Sequence, residues 1–148
     1  MPVICLLQLT KTMKIRRYSE LKRLETFEER FDYLELKGSV GIVTFGFDRW
    51  INQRFYKSYE WRNARNFVIA RDNGCDLGIP GYEIRVDLLV HHMNPISSSD
   101  IGHSEERLID PEYLITTSLN THNALHYGNK NLLPRGLVER KSGDTKLW

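Results

Sequence analysis

Histidine is concentrated in one stretch of this 148-residue chain, residues 90–127. All five histidines lie there, and four of them form two pairs: the adjacent His91 and His92, and the helically spaced His122 and His126. Neutral imidazole suits borderline divalent metals, and three such ligands leave open positions on the ion for water or a phosphate oxygen. A lone histidine is more often a core or surface residue, but four in one short unit favour a site.

The first pair follows a predicted strand. Residues 82–90 alternate between apolar and polar and then become continuously apolar, which is typical of a strand whose far end enters the interior. Adjacent strand residues point to opposite sides, so His91 and His92 are expected to differ in their tasks. One can bind a metal while the other faces a substrate.

The second pair lies on a predicted helix. Residues 97–106 form a polar, turn-rich loop, and residues 113–117 are short and β-prone. Ser118 can cap a helix over residues 119–127 that Gly128 ends, and its two histidines share one face. The predicted unit is therefore strand, loop, strand, helix.

Apolar residues three and four apart predict one amphipathic helix over residues 19–34, with Ser19 as its N-cap. The break at residues 37–39 is followed by a short strand or an irregular extended segment at residues 40–47. This helix is expected to pack over the core.

Basic and aromatic side chains are interleaved in residues 49–71, where Glu60 is the only acidic residue. Ser58 can cap a helix over about residues 58–72, which Asn73 and Gly74 end. The positions expected to form its buried stripe are Trp61, Ala64, Phe67 and Val68. The segment is either a surface that binds phosphate groups or a solvated helix face above aromatic core residues.

The whole chain is long enough for one domain with one core. The apolar run in residues 1–12 is far too short for a membrane span. Because Met13 is followed by a more typical protein start, residues 1–12 are interpreted either as a disordered extension or as the product of an upstream start. The domain is expected over residues 13–148, with the site unit at about residues 82–128 and a tail at 129–148. Cys5 and Cys75 form no CxxC pair, so a reducing cytoplasm is the expected compartment.

Residues 82–127 resemble the ββα-metal unit of HNH endonucleases, also called His-Me finger nucleases. The adjacent histidines followed by the i,i+4 pair are similar to the nuclease colicins and to phage-encoded HNH proteins. The run from Trp61 through Arg65 and Arg71 to Cys75 also resembles the helix and turn before the motif in phage members. The resemblance covers about residues 50–130 and implies a small α+β domain with flanking helices.

The resemblance also implies roles. His91, His122 and His126 would bind one divalent ion, which is Mg²⁺, Mn²⁺, Ni²⁺ or Zn²⁺. His92 would be the general base that activates the attacking water, and an imidazole pKa of about 6.5 suits that task at neutral pH. His103 has no role in the motif and is expected at the surface.

One position departs from the family. Tyr113 occupies the place of the asparagine that braces the loop orienting the base, which puts catalytic efficiency in question. Asn94, Asp110 or the hydroxyl of Tyr113 itself are alternatives for that bracing. The paired cysteines that bind zinc in some members are also missing, and ordinary packing is expected to replace them.

The sequence thus predicts a metal-dependent DNA endonuclease or nickase, phage-encoded, with terminase or another packaging protein as a partner and no membrane association. The arginines expected to contact DNA are Arg54, Arg62, Arg65 and Arg71. Two alternatives remain. One is a catalytically impaired DNA-binding or phage-assembly module whose metal is structural, and the other is a structural zinc domain with a protein partner.

Overall fold

The structure, a computed structural model, describes residues 14–37, 49–96 and 100–133, with the side chains of residues 49–52 and 102 excepted. Within these ranges the chain combines helices with short antiparallel strands, which agrees with the predicted α+β class. The predicted extension at residues 1–12, the segment at 40–47 and most of the tail lie outside the described residues.

Seven α-helices and four strands make up the described part of the chain. The helices are α1 (Tyr18–Leu21), α2 (Phe27–Leu34), α3 (Arg49–Lys57), α4 (Tyr59–Arg71), α5 (Asp100–His103), α6 (Glu105–Ile109) and α7 (Leu119–Tyr127). The strands are β1 (Cys75–Asp76), β2 (Tyr82–Glu83), β3 (Leu88–His92) and β4 (Leu114–Ser118). Single 3₁₀ turns occupy Pro111–Tyr113 and Lys130–Leu132.

The helix predicted over residues 19–34 is two helices, so that prediction was wrong. Thr26 starts the second one with a capping box: its hydroxyl accepts from the Glu29 amide at 3.3 Å, and its own amide donates to the Glu29 carboxylate at 3.1 Å. This reciprocal pair satisfies donors that a continuous helix would not leave free. Ser19 lies inside α1 and caps nothing; its amide donates to Glu112 at 3.1 Å.

The strand predicted over residues 82–90 is also divided. β2 pairs antiparallel with β1, whereas β3 pairs antiparallel with β4. Asp87 separates the two strands with a φ of 55°, in the left-handed region, and the neighbouring Val86 is 73% exposed. A residue in that conformation ends the extended backbone, which alternating hydrophobicity does not reveal.

The predicted loop at residues 97–106 is partly helical, because α5 and α6 begin within it. Ser58 and Ser118 cap α4 and α7 as expected, each accepting from the backbone amide three residues ahead at 3.2 Å. Gly128 ends α7 in the left-handed conformation, also as expected. The helix α4 buries Trp61 and Val68, but Phe67 is 56% exposed, which corrects its place in the stripe.

The β3–β4 hairpin has an apolar cluster on each face. One joins Met93 and Ile115 to Ala124 and Leu125 of α7 and to residues of α1 and α2. The other joins Leu114 to residues of α3, α4 and α6. Because strand side chains alternate, the consecutive residues Leu114 and Ile115 of β4 enter different clusters.

Candidate functional site

His91 lies in β3, opposite Ile115 of β4, and its ring points toward α7. The residue is 2% exposed. Its Nε2 atom is buried and has no hydrogen-bond partner among the described residues. A buried polar nitrogen without a partner is costly unless something binds it, so this atom is suited to a ligand outside the chain.

The helix α7 brings two more imidazoles to the same place. The ring centroids of His122 and His126 lie 5.2 and 5.1 Å from that of His91. Their Nε2 atoms are 3.0 Å apart, and one ring nitrogen from each of the three histidines lies within 4.8 Å of the others. The sequence prediction that these three residues come together agrees with this geometry.

The cluster fits a divalent ion. Two ligands at about 2.0–2.1 Å from one ion lie roughly 3.0–3.4 Å apart, which matches the spacing of the helical pair. In the described part of the chain, no fourth histidine, cysteine or carboxylate joins the group. Three protein ligands leave positions for water or a substrate oxygen, as in catalytic rather than structural sites.

The electrostatics also favour metal binding. Burial lowers the pKa of all three imidazoles, and the neighbouring histidines lower that of His91 further. The pKa of His126 falls to about 4. The three rings are therefore neutral at pH 7, with lone pairs available to an ion.

His92 lies on the opposite face of β3, among aromatic rings. Its Nε2 lies 2.8 Å from the carbonyl oxygen of Leu108, in the last turn of α6, where helix carbonyls have no intrahelical partner. Since that carbonyl can only accept, Nε2 carries the proton and Nδ1 carries the lone pair. Burial lowers the pKa of His92 to about 4, and the hydrogen bond to Leu108 partly offsets this. The expected pKa of about 6.5 for this residue is therefore wrong, because the ring is buried among aromatic side chains.

The main chain of Tyr113 bonds to the residue that follows His92. The carbonyl of Tyr113 accepts from the Met93 amide at 3.0 Å, one residue beyond the base. Asn94 instead exchanges two hydrogen bonds with the backbone of Arg16, at 2.7 and 3.0 Å. Asp110 accepts from the Glu112 amide at 2.9 Å. Neither alternative side chain therefore bonds to His92; the Leu108 carbonyl does.

A buried carboxylate holds the start of α7, and the sequence analysis did not single it out. Asp76 is 1% exposed and accepts from Ser118, Thr121 and Gly78 at 2.5–3.1 Å. Burial raises the pKa of this carboxyl, and the hydrogen bonds oppose that rise. The signal available in the sequence was only an aspartate before a turn, which is common in loops.

The predicted DNA-contacting arginines fall into two groups. Arg71 is committed to the fold: it donates to the carbonyls of Pro111 and Leu114 at 2.7 Å each and pairs with Asp72 at 2.7 Å. Three others make no ion pair with a described acidic residue. Of these, Arg54 and Arg62 are exposed and Arg65 is half-buried.

His103 is exposed, in agreement with its expected place at the surface. No helix among the described residues is both long and apolar enough to cross a membrane. In comparisons with known proteins, no family model, no curated protein and no solved structure matches the chain.

Proposed function

We propose that the chain is a metal-dependent endonuclease that hydrolyses phosphodiester bonds in DNA. The observation that carries this proposal is that two adjacent histidines of β3 point to opposite faces. His91 joins a three-imidazole cluster, while His92 presents a neutral ring on the other face. Phosphodiester hydrolysis by a one-metal mechanism requires an open metal site and a general base.

The chain's own residues account for binding the ion and moving a proton. His91, His122 and His126 hold the ion, and His92 accepts a proton from water at Nδ1, since Nε2 is occupied by the Leu108 carbonyl. When bound, a divalent ion supplies positive charge that stabilises the scissile phosphate and the leaving 3′-oxygen. No second carboxylate-rich site is needed for this scheme.

The surface of α3 and α4 supports nucleic acid as the substrate. Arg54, Lys57 and Arg62 are exposed, and the exposed aromatic residues Tyr56 and Tyr59 lie among them. Cations that are free of acidic partners gain affinity for phosphates by releasing counterions, so binding should weaken steeply with salt. Arg65 completes the proposed contact surface, and Arg71 is left out of it.

Relaxation of supercoiled plasmid tests the proposal. With Mg²⁺, Mn²⁺, Ni²⁺ or Zn²⁺ supplied separately, the wild-type protein should nick DNA, and His92→Ala should lose ~100-fold or more of the rate because its base is gone. His103→Ala is the matched control and should nick normally. If both wild type and His92→Ala bind metal and leave plasmid intact with every ion, the enzymatic proposal fails.

Tyr113 favours a second candidate, an inactive DNA-binding or phage-assembly module whose metal is structural. Its carbonyl accepts from the Met93 amide and its ring centroid lies 5.7 Å from the Arg107 guanidinium, so its side chain does not supply the amide that the family's asparagine would provide. This candidate predicts salt-sensitive DNA binding without cleavage in the wild type. Tyr113→Asn should then start or strongly raise nicking, and no gain would argue against this account of inactivity.

A closed structural zinc site is the weakest candidate, because the described residues supply three ligands and not four. Cobalt substituted into the site would distinguish a closed structural site from an open one. Its absorption in the visible range differs between four protein ligands and three protein ligands plus water. A phage origin and a terminase partner rest on the family resemblance and remain predictions.

A further inference from the structure

The ring of His92 is stacked on the indole of Trp61. Their centroids are 5.1 Å apart and their planes differ by 16°. Among the described residues, two other aromatic rings lie near His92, those of Phe55 and Tyr56; both centroids are at 6.4 Å and the rings are tilted by 47° and 67°. Among these neighbours, Trp61 alone offers the imidazole a parallel flat face.

Trp61 is itself held firmly. It is 6% exposed, in the first turn of α4, where its amide donates to the capping Ser58 hydroxyl at 3.2 Å. Its ring packs against Tyr56 at 5.2 Å and Phe55 at 5.5 Å. A buried aromatic ring on a capped helix has little freedom to turn, so it can fix the plane of a ring stacked on it.

The stack and the hydrogen bond restrain different motions of His92. The bond from Nε2–H to the Leu108 carbonyl, 2.8 Å long, fixes which nitrogen carries the proton and anchors one edge of the ring. It leaves rotation of the ring about that anchored edge unrestrained. The indole plane blocks that rotation, and the Nδ1 lone pair then has one direction.

We propose that Trp61 is a positioning residue that, together with the Leu108 carbonyl, orients His92 for proton abstraction in a chain that has Tyr113 at the position of the family's bracing asparagine. This inference deepens the proposed nuclease function and rests on it. It assigns to α4 a part in the reaction besides core packing and phosphate contact.

The test replaces the flat face while keeping an apolar side chain. In Trp61→Leu, kcat for plasmid nicking should fall by roughly 10- to 100-fold, since misplacing a catalytic group by about 1 Å has that effect. KM and the affinity for Mn²⁺ alone should stay within about two-fold, because the metal cluster lies on the opposite face of β3. Trp61→Phe keeps an aromatic plane and should restore most of the kcat.

Two controls separate positioning from packing. Val68→Ala also removes buried volume from the same apolar cluster but takes no ring from His92, so it should lower stability without lowering kcat. If Trp61→Leu loses no more kcat than Val68→Ala does, or if Trp61→Phe fails to rescue, the positioning role is overturned. Trp61→Met substitutes where the leucine variant does not fold.

NMR spectroscopy of the His92 ring tests whether Trp61 positions it, even in a protein that does not cut DNA. In the wild type, the His92 ring protons should carry an upfield ring-current shift from the indole, and the long-range ¹H–¹⁵N correlation should show one neutral tautomer protonated at Nε2. Trp61→Leu should lose the shift and Trp61→Phe should keep most of it. Unchanged His92 signals in Trp61→Leu overturn the inference, whereas absent nicking with changed signals counts only against the nuclease proposal.

Discussion

Three histidines of this chain have different surroundings. His91 is buried with an unpartnered nitrogen, His92 is fixed by a carbonyl and an indole, and His103 is exposed. Burial keeps the imidazoles of the first two neutral by lowering their pKa, while the face of the strand decides what each can touch. What each imidazole can bind therefore depends on the direction of the side chain as much as on the residue type.

Metal affinity tests the assignment of ligands. His91→Ala, His122→Ala and His126→Ala should each weaken Zn²⁺ or Ni²⁺ binding by at least ~100-fold, since removing a ligand costs more than altering a group that supports one. Isothermal titration calorimetry at pH 7.5 measures this, with His103→Ala as the unaffected control. Equal affinity in the control and in all three variants would remove the metal site from this cluster.

At the scale of elements, sequence signals that act locally were reliable. Ser58, Ser118 and Gly128 mark helix ends as predicted, because capping depends on the residue and its immediate backbone. The spacing of His122 and His126 likewise put both on one face of α7. The pairing of these residues with His91, rather than with His92, came from the resemblance to HNH endonucleases.

Features that depend on backbone twist or on distant partners were not predictable. The sequence pattern does not reveal the helix start at Thr26, because apolar residues recur three and four apart on both sides of it. The left-handed Asp87 and the stack of Trp61 on His92 have no pattern of their own in the sequence. Arg71 has the same sequence character as its neighbours on α4, and its bonds to the carbonyls of Pro111 and Leu114 and to Asp72 distinguish it.

The start of α7 depends on Asp76, so its removal should act on both stability and metal binding. Asp76→Ala removes the acceptor of the buried Gly78 and Ser118 amides and of the Thr121 hydroxyl, and it should lower the free energy of unfolding by about 3 kcal/mol. Metal affinity should fall ~10-fold because α7 carries two ligands. Urea denaturation and calorimetry measure these effects.

Asp110→Ala provides a matched comparison, since the Asp110 side chain caps the short, half-buried 3₁₀ turn at Pro111–Tyr113. It should cost about 1 kcal/mol or less and leave metal affinity unchanged. If Asp76→Ala is no more harmful than Asp110→Ala, the carboxylate is not what secures the helix.

At the scale of the whole molecule, the paired strands β3 and β4 separate two apolar clusters. The three-histidine cluster lies on one side of these strands and His92 on the other. The cluster with α1, α2 and α7 lies on the side of His91, His122 and His126, and the cluster with α3, α4 and α6 includes Phe55 and Trp61, which pack against His92. Metal binding should therefore stabilise α7 more directly than α4. Its total contribution to stability grows with the logarithm of the free ion concentration.

The histidines should make the metal-free protein sensitive to mild acid. The folded pKa values of His92 and His126, about 4, lie below the unfolded value of 6.5, so between these limits the unfolded chain binds more protons. The free energy of unfolding should be constant above about pH 6.5 and should fall as the pH drops toward 4. Urea denaturation with a chelator present, at pH 7.5, 6.5 and 5.0, measures the slope.

A flat profile over that range would contradict the neutral, buried state of these rings. His126→Gln should reduce the slope, because it removes one of the groups that titrate differently in the two states.

The antiparallel pairing of β3 with β4 makes the site intolerant of any change in strand length. His91 lies opposite Ile115 and His92 opposite Leu114, and each residue advances the strand by about 3.3 Å. A single-residue insertion in β3 would turn both imidazoles to the wrong faces at once, and a two-residue insertion would restore the faces but displace both by roughly 6.6 Å. Length variation in natural or engineered versions of this chain should therefore be confined to the segments that join these strands to their neighbours.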